Sequence, residues 1–288
     1  MVALRSRHQM ATVRRLVVVR YPRLTYRITA YFARLKTMPH IRFGLYALLL
    51  ATSILGLPAH AHRIQIVTEE LPPYNMTVSG KLTGMSTEVV QALISEVGIE
   101  ASFQSMPWAR AYDMALHMDN VMIYSISRTP EREGLFQWVG MVAPTRWYLY
   151  SAASRPVTLG NLEQAKPYQI ATVKQDVGEQ YLTEHGFQVG SGLQSSIRHE
   201  LNYEKLQQGR VDLWISNELN ARHLARAMGD NPDRSLREVL DLPDLGNGSG
   251  LSIAFSKGTP EETVERFRVA LRRMHESGRF EAIVRKWL

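Results

Sequence analysis

The stretch "VMIYSISRTPEREGLF" (Val121–Phe136) runs an apolar segment of strand length straight into a cluster of hydrogen-bond donors. Val121 to Ser127 read as a buried strand. Ser125, Ser127, Arg128 and Arg132 then gather around the turn Thr129-Pro130. Proline at a first helical position leaves the free N–H groups of a helical turn facing outward, which adds positive potential. Two readings fit these residues. In one the segment is a solvated strand-to-helix turn, with Arg132 paired to Glu131 or Glu133 at the surface. In the other it is an anion-binding corner. The place of the strand in the fold decides between them.

Upstream, "RIQIVTE" (Arg63–Glu69) alternates apolar and polar residues and starts a strand, which "LPPYN" breaks because proline removes ladder donors. Gly80-Lys81 turns the chain and Ser86 is the N-cap candidate of a helix. Val89, Val90, Leu93, Ile94 and Val97 fall at helical spacing, and Gly98 stops it. "IEASFQS" predicts a second strand, "MPWARAYDMALHM" a helix with Pro107 in its first turn, and "VMIYSIS" a third strand. Strand–helix–strand–helix–strand implies a parallel or mixed sheet covered by helices. Ligands of such sheets bind outside the carboxyl ends of the strands. The donor cluster hangs from one of those ends.

After "WYLYSAAS" (Trp147–Ser154) the pattern restarts: "PYQIATVK" as a strand, "VGEQYLTEHG" and "LNYEKLQQG" as helices, "VDLWIS" as a strand and "NELNARHLARAMG" as a helix. "LGNGSG" is a flexible crossing before the strand "LSIAFS". Thr259-Pro260-Glu261-Glu262 reads as a capping box opening the next helix, and "GRFEAIVRKWL" closes the chain. "LSIAFS" has no partner unless it returns to the first sheet. The expectation is two lobes, 62–152 with 252–288 and 153–251, joined by crossovers near Tyr150–Ser154 and Gly248–Ile253. That architecture makes a cleft with a hinge.

The net charge of +7 is concentrated at one end. Residues 1–61 carry ten Lys/Arg and no acidic residue, leaving 24 of the 34 basic residues against all 27 acidic ones, a net of −3. The body of the chain therefore offers no basic surface for nucleic acid. "FGLYALLLATSILGLPAHA" (Phe43–Ala61), preceded by Arg42 and ending in a small-x-small triplet, has the three-part pattern of a secretory signal. Its uninterrupted apolar part, Phe43–Leu57, is shorter than the ~20 residues that span a bilayer. Residues 1–61 are read as a leader cleaved after Ala61, with Met38 as an alternative start. With no cysteine, neither a disulfide nor a lipid-modified N-terminus is available. The expected product is periplasmic, soluble and monomeric.

The runs "LPPYN…GKLTGMSTEVVQAL", "TPERE", "LQQGRVDLWIS" and "SGRFEAIVRKWL", in this order over residues 63–288, resemble the bacterial extracellular solute-binding proteins of the polar-amino-acid type (family 3). The resemblance implies an α/β, two-lobed type II periplasmic binding-protein fold. Each lobe is a mixed sheet flanked by helices, and two hinge crossovers join them. It also implies that Ser125, Ser127 and Arg132 grip a ligand carboxylate. A guanidinium suits that role because its planar fork of donors matches a carboxylate bidentately. Trp108, with Tyr74 or Leu71, stands where the family packs the body of the ligand. Arg128 is expected to face solvent.

The second lobe departs from the family. Gln175-Asp176-Val177 replaces a segment that commonly reads Gly-Ser/Thr-Thr, and Asn217 replaces the aspartate that receives an α-ammonium. A neutral amide both donates and accepts but carries no charge. Either Asp176 or Glu218 takes over, or the ligand is not an ordinary α-amino acid. Six histidines follow the leader (His62, His117, His185, His199, His223 and His275), without the close spacing of a zinc site. The chain has no GxSxG, P-loop or HExxH motif. No metal, cofactor or nucleic acid is expected.

The expected function is capture of a small carboxylate-bearing, amino-acid-like solute for an inner-membrane ABC permease, without catalysis. Ser125, Ser127, Arg132, Trp108, Tyr74, Asp176, Asn217 and Glu218 are the expected ligand-binding residues. The alternatives are a periplasmic dehydratase acting on a carboxylated cyclic substrate, with Glu218 or Asp176 as acid, and a ligand-sensing subunit for a membrane receptor.

Overall fold

The computed structural model describes residues 63–248 and 250–288. The leader, its cleavage after Ala61, the alternative start and His62 lie outside the described residues.

Two five-stranded mixed sheets carry the chain. The first has the order β4-β1-β5-β12-β6. Here β1 (Ile64–Thr68), β4 (Ala101–Ser105) and β5 (Val121–Ser127) run parallel, and β12 (Leu251–Ser256) lies antiparallel to both β5 and β6 (Phe136–Ala143). The second has the order β11-β7-β10-β8-β9. In it β8 (Ile170–Val173), β9 (Leu193–Ser196) and β10 (Leu213–Asn217) are parallel. Strand β7 (Trp147–Ala152) runs antiparallel to β10 and to β11 (Leu236–Asp241). A hairpin of β2 (Met76–Val78) and β3 (Lys81–Thr83) precedes the first long helix.

The helical periodicity is realised by packing. In α1 (Met85–Val97), Val89, Val90 and Leu93 are fully buried, against Ile66 and Met122 of the sheet and Phe267 of the late helix. Each such side chain gains about 1.5–3 kcal/mol from leaving water. On the other face of the same sheet, α2 (Trp108–His117) buries Trp108, Ala111 and Ala115 on Val67 and Ile123. The second sheet is covered in the same way by α4 (Val177–Glu184), α5 (His199–Gln207) and α6 (Glu218–Ala227). Two short turns are α3 (Pro130–Glu133) and α7 (Pro232–Ser235), and α8 (Glu261–Glu276) and α9 (Arg279–Trp287) complete the first layer. Among the described residues no helix is long and apolar enough to cross a membrane.

Three local expectations are corrected. The N-cap of α1 is Gly84, not Ser86. Gly84 has φ +120° and its ideal Cβ position falls 2.4 Å from the Tyr74 carbonyl oxygen, so only glycine lets the chain turn this close to its neighbour. The capping box at Thr259 does not form. Thr259 Oγ1 is bonded to Ser256 Oγ, and Pro260 is the cap, with no side-chain bond. The first crossover lies at 144–146 rather than Tyr150–Ser154, because all of β7 pairs in the second sheet. The return runs from Asp241 to Leu251.

Candidate functional site

Strand β5 delivers the donors to the carboxyl edge of the first sheet. Its pairing with β12 shifts register there, Tyr124 facing Ile253 and Ile126 facing Ser252, so Ser125 between them is a bulge residue. Ser125 has φ +60°, a strained conformation for a residue with a side chain. Its Oγ donates to Asn75 Oδ1 at 2.5 Å, and Asn75 Nδ2 donates to the Glu69 carbonyl at 2.6 Å. These bonds fix the loop after β1 against the end of β5. Ser127, the last residue of the strand, has a buried Oγ without a hydrogen-bond partner.

The short α3 then aims Arg132 inward. Thr129 Oγ1 accepts from the Arg132 N–H, and Pro130 holds the first position. Arg132 is 1% exposed, which rules out the surface-pair reading. Its Nη1 donates to the Ser127 carbonyl at 3.1 Å and its Nε to Gln180 Oε1 at 3.0 Å, while Nη2 is buried without a partner. The guanidinium lies 5.5 Å from the Trp108 ring centre and 5.0 Å from that of Tyr112. Burial lowers its pKa from the ordinary value, with Tyr112 and Asp176 pulling it back. An arginine nevertheless stays charged. Glu133 pairs instead with Arg128, whose Nε donates to Oε2 at 2.6 Å on the exposed side, as expected for the outward-facing arginine.

The second sheet supplies a different wall. Asp176 caps α4, its Oδ1 accepting from the Glu179 N–H at 2.8 Å. Burial pushes its carboxyl up to about 7; His199 opposes that rise, and Glu69 and Glu179 add to it. His199 opens α5, with Nε2 3.3 Å from Oε2 of Glu69, the residue that follows β1. Neither ring nitrogen makes an aligned hydrogen bond. Burial favours the neutral ring, but Glu69, Asp176 and Glu200 together outweigh it and leave the His199 pKa raised. Trp147, at the start of β7, has a buried Nε1–H without a partner.

Between the walls lies a small polar cavity of about 10 Å³, lined by Ser125, Ser127, Arg132 and Trp108 on one side and Asp176, Val177, His199 and Trp147 on the other. Glu69, Leu71 and Leu251 complete the lining. Space for about one water is all that remains. The walls are tied directly: Trp108 Nε1 donates to the Gln175 carbonyl at 2.8 Å, and Asn220 Nδ2 to the Pro72 carbonyl at 2.8 Å. Arg132–Gln180 and Glu69–His199 are further cross-cleft contacts.

Five of the eight expected residues therefore meet: Ser125, Ser127, Arg132, Trp108 and Asp176. Tyr74 does not line the cavity. It is fully buried behind it with Met85 and Ala143, its hydroxyl bonded to Thr145 Oγ1 at 3.2 Å, and Leu71 takes the lining position. Asn217 caps α6 by accepting from the Asn220 N–H at 2.9 Å, and it pairs across the sheet with Trp147. Glu218 begins α6 outside the lining, its charge acting on Tyr150 and Glu238 instead.

Sequence reasoning missed Glu69, His199 and Trp147. Glu69 and His199 follow the ends of β1 and β9, so the carboxyl-end rule applied to every strand points at both. Trp147 reaches the same edge because β7 runs antiparallel to β10. Among the described residues no group of His, Asp or Glu side chains is arranged to hold a metal ion.

Residues 64–288 match the profile of the bacterial extracellular solute-binding proteins, family 3. No curated protein sequence matches the chain. Among solved structures it is similar to a histidine kinase sensor domain with similarity to periplasmic binding proteins. The TM-score is 0.68 at 19% identity, covering 79% of this chain and 96% of the other. It is similar to an ancestral arginine-binding protein bound to arginine, with TM-score 0.68, 19% identity and coverage of 78% and 98%. A third is the arginine-, lysine-, histidine-binding protein ArtJ from Geobacillus stearothermophilus, with TM-score 0.65, 18% identity and coverage of 78% and 95%. At these identities the likeness is one of fold: two-lobed, with mixed sheets.

Proposed function

Because the chain belongs to the bacterial extracellular solute-binding proteins of family 3, we propose that it captures a small carboxylate-bearing solute of amino-acid size between its two lobes. It acts in the periplasm as a soluble monomer, released from its leader, and hands the solute to an inner-membrane ABC permease. The observation that carries this reading is a pair of buried donors lining one cavity, Arg132 Nη2 and Ser127 Oγ, with no partner in the protein. Buried donors left unpaired cost about 1–3 kcal/mol each, more when charged. A carboxylate satisfies both.

The geometry also suggests how the lobes exchange ligand. Nε and Nη2 form one edge of the guanidinium, and Gln180 from the second lobe occupies Nε. A ligand carboxylate that takes both atoms replaces the Gln180 carbonyl with a bidentate, charge-assisted contact. Ligand entry requires the walls to part at Arg132–Gln180 and Trp108–Gln175, and closure over the ligand remakes the rim contacts. That cycle is hinge motion between a solute-free and a solute-filled cleft.

A melting-temperature screen of the purified protein against amino acids, small organic acids and polyamines tests the reading. A ligand bound only by the folded state raises the melting temperature with its concentration. Carboxylates should do so and polyamines should not. A series of carboxylates without effect at millimolar concentration would sink it. Asp176 favours one second reading: a carboxyl held near 7 beside a carboxylate-binding arginine has the protonation a general acid needs. A turnover assay on each carboxylate that binds separates capture from dehydration.

A further inference from the structure

The unpartnered buried atoms around the cleft are donors on both walls. The first wall offers Arg132 Nη2 and Ser127 Oγ, and the second offers Trp147 Nε1 and both ring nitrogens of His199. Arginine and indole nitrogens only donate, and a protonated imidazole donates from both atoms. Each lining carboxylate has one oxygen engaged: Asp176 Oδ1 holds the Glu179 N–H, and Glu69 Oε2 faces His199 Nε2, which leaves Nδ1 as the open ring nitrogen. Asn217 Oδ1 caps a helix away from the lining. A zwitterionic amino acid that turned its ammonium toward these two side chains would leave the Trp147 and His199 Nδ1 donors without an acceptor.

We propose that the ligand is an oxygen-rich organic anion, an oxo or hydroxy acid of amino-acid size, whose carboxylate meets Arg132 and Ser127 and whose second oxygen accepts from Trp147 and His199. The proposal rests on the reading that this cleft binds a carboxylate. It makes His199 and Trp147 the residues that discriminate an oxygen from an ammonium at the position next to the carboxylate.

The same groups give the anion a pH dependence. His199 is faced by Glu69 from the end of β1, by Asp176 from the cap of α4 and by Glu200 on its own helix. Arg132 lines the cavity opposite, and Glu179 acts on Asp176. Raising the pH removes the proton from His199 and ionises Asp176. Both changes add negative charge beside the ligand, so the anion binds with proton uptake and weakens as the medium becomes alkaline.

Calorimetry on matched pairs tests this directly: pyruvate against L-alanine, 2-oxoglutarate against L-glutamate, phenylpyruvate against L-phenylalanine. In the pair that binds most tightly, the oxo acid should bind roughly tenfold tighter than its amino acid, the value of one well-made hydrogen bond to a charged group. Its affinity should fall several-fold between about pH 6 and about pH 8; His199→Gln should reduce that dependence, and adding Asp176→Asn should remove the rest. Should His199→Gln fail to fold, Trp147→Phe deletes only the Nε1–H and should lower oxo-acid affinity selectively. An amino acid binding as tightly as its oxo partner, or an oxo acid indifferent to pH, overturns the proposal. If such an amino acid loses its binding in Arg132→Ala, carboxylate capture still stands. If no member of any pair binds, both fall together.

Discussion

The two walls of the cleft hold charge in different ways. The first-lobe wall is built on Arg132, a permanent cation pinned by the Ser127 carbonyl and flanked by the Trp108 and Tyr112 rings. The second-lobe wall is built on Asp176 and His199, whose protons are shared out by burial and by Glu69 across the cleft. A permanent charge sets what is bound at every pH. In the proposal, a titratable cluster sets when, and beside what kind of second group, it is bound. On the proposed reading, one site separates anchoring from discrimination by putting them on different sheets.

The sharpest way to break the comparison is Arg132→Ala. Loss of a charge-assisted contact worth about 1.5–3 kcal/mol should weaken carboxylate binding at least tenfold, measured as Kd, with a melting transition that still reports a folded protein. Comparable weakening from a second-wall residue alone would erase the distinction. Next is Asp176→Asn. Asparagine caps a helix as well as aspartate does, so the variant removes the titration and keeps the cap. Asp176 binds a proton in the folded state between its ordinary value of 3.8 and about 7, where the unfolded chain does not. Stability should therefore fall as pH rises through that window. His199 acts in the same direction: its raised pKa stabilises the fold below 6.5, and that contribution is lost as pH rises through the folded value. The wild-type melting temperature should decline from about pH 5 to about pH 8, and Asp176→Asn should flatten the decline.

Trp108→Phe should have a smaller effect. It removes the cross-cleft bond to the Gln175 carbonyl and keeps the ring, at about 0.5–1.5 kcal/mol of closure, read as a few-fold rise in Kd. Smallest is Arg128→Ala. Its guanidinium pairs with Glu133 on the exposed side, where ion pairs contribute little, so affinity should match the wild type. A large loss there would mean that α3 needs its outer pair to aim Arg132.

The first wall was legible because its residues are close in sequence. A buried strand, a proline-started turn and an arginine three residues after Thr129 specify a corner by local rules. The second wall is assembled from Asp176, His199 and Trp147, each from a different strand or helix, and only the sheet order brings them to one edge. Tyr74 illustrates the limit. The "LPPYN" loop folds so that Leu71 lines the cavity and the tyrosine is buried behind it. Asn217 and Glu218 belong to a helix start, and there capping used the side chain that spacing alone offered to the ligand. The fold was readable from periodicity. Its crossover was not, because a strand that reaches an edge looks the same whichever sheet it pairs with.

The central claim is that Arg132 recognises a carboxylate as a carboxylate. Its most direct measurement is a calorimetric cycle: the carboxylate giving the largest melting shift and its carboxamide analogue, each titrated into wild type and into Arg132→Ala. The predicted result is a strong preference for the carboxylate in the wild type, roughly tenfold or more, that collapses toward equality in the variant. A preference that survives the loss of Arg132 would place the anion elsewhere and contradict the account.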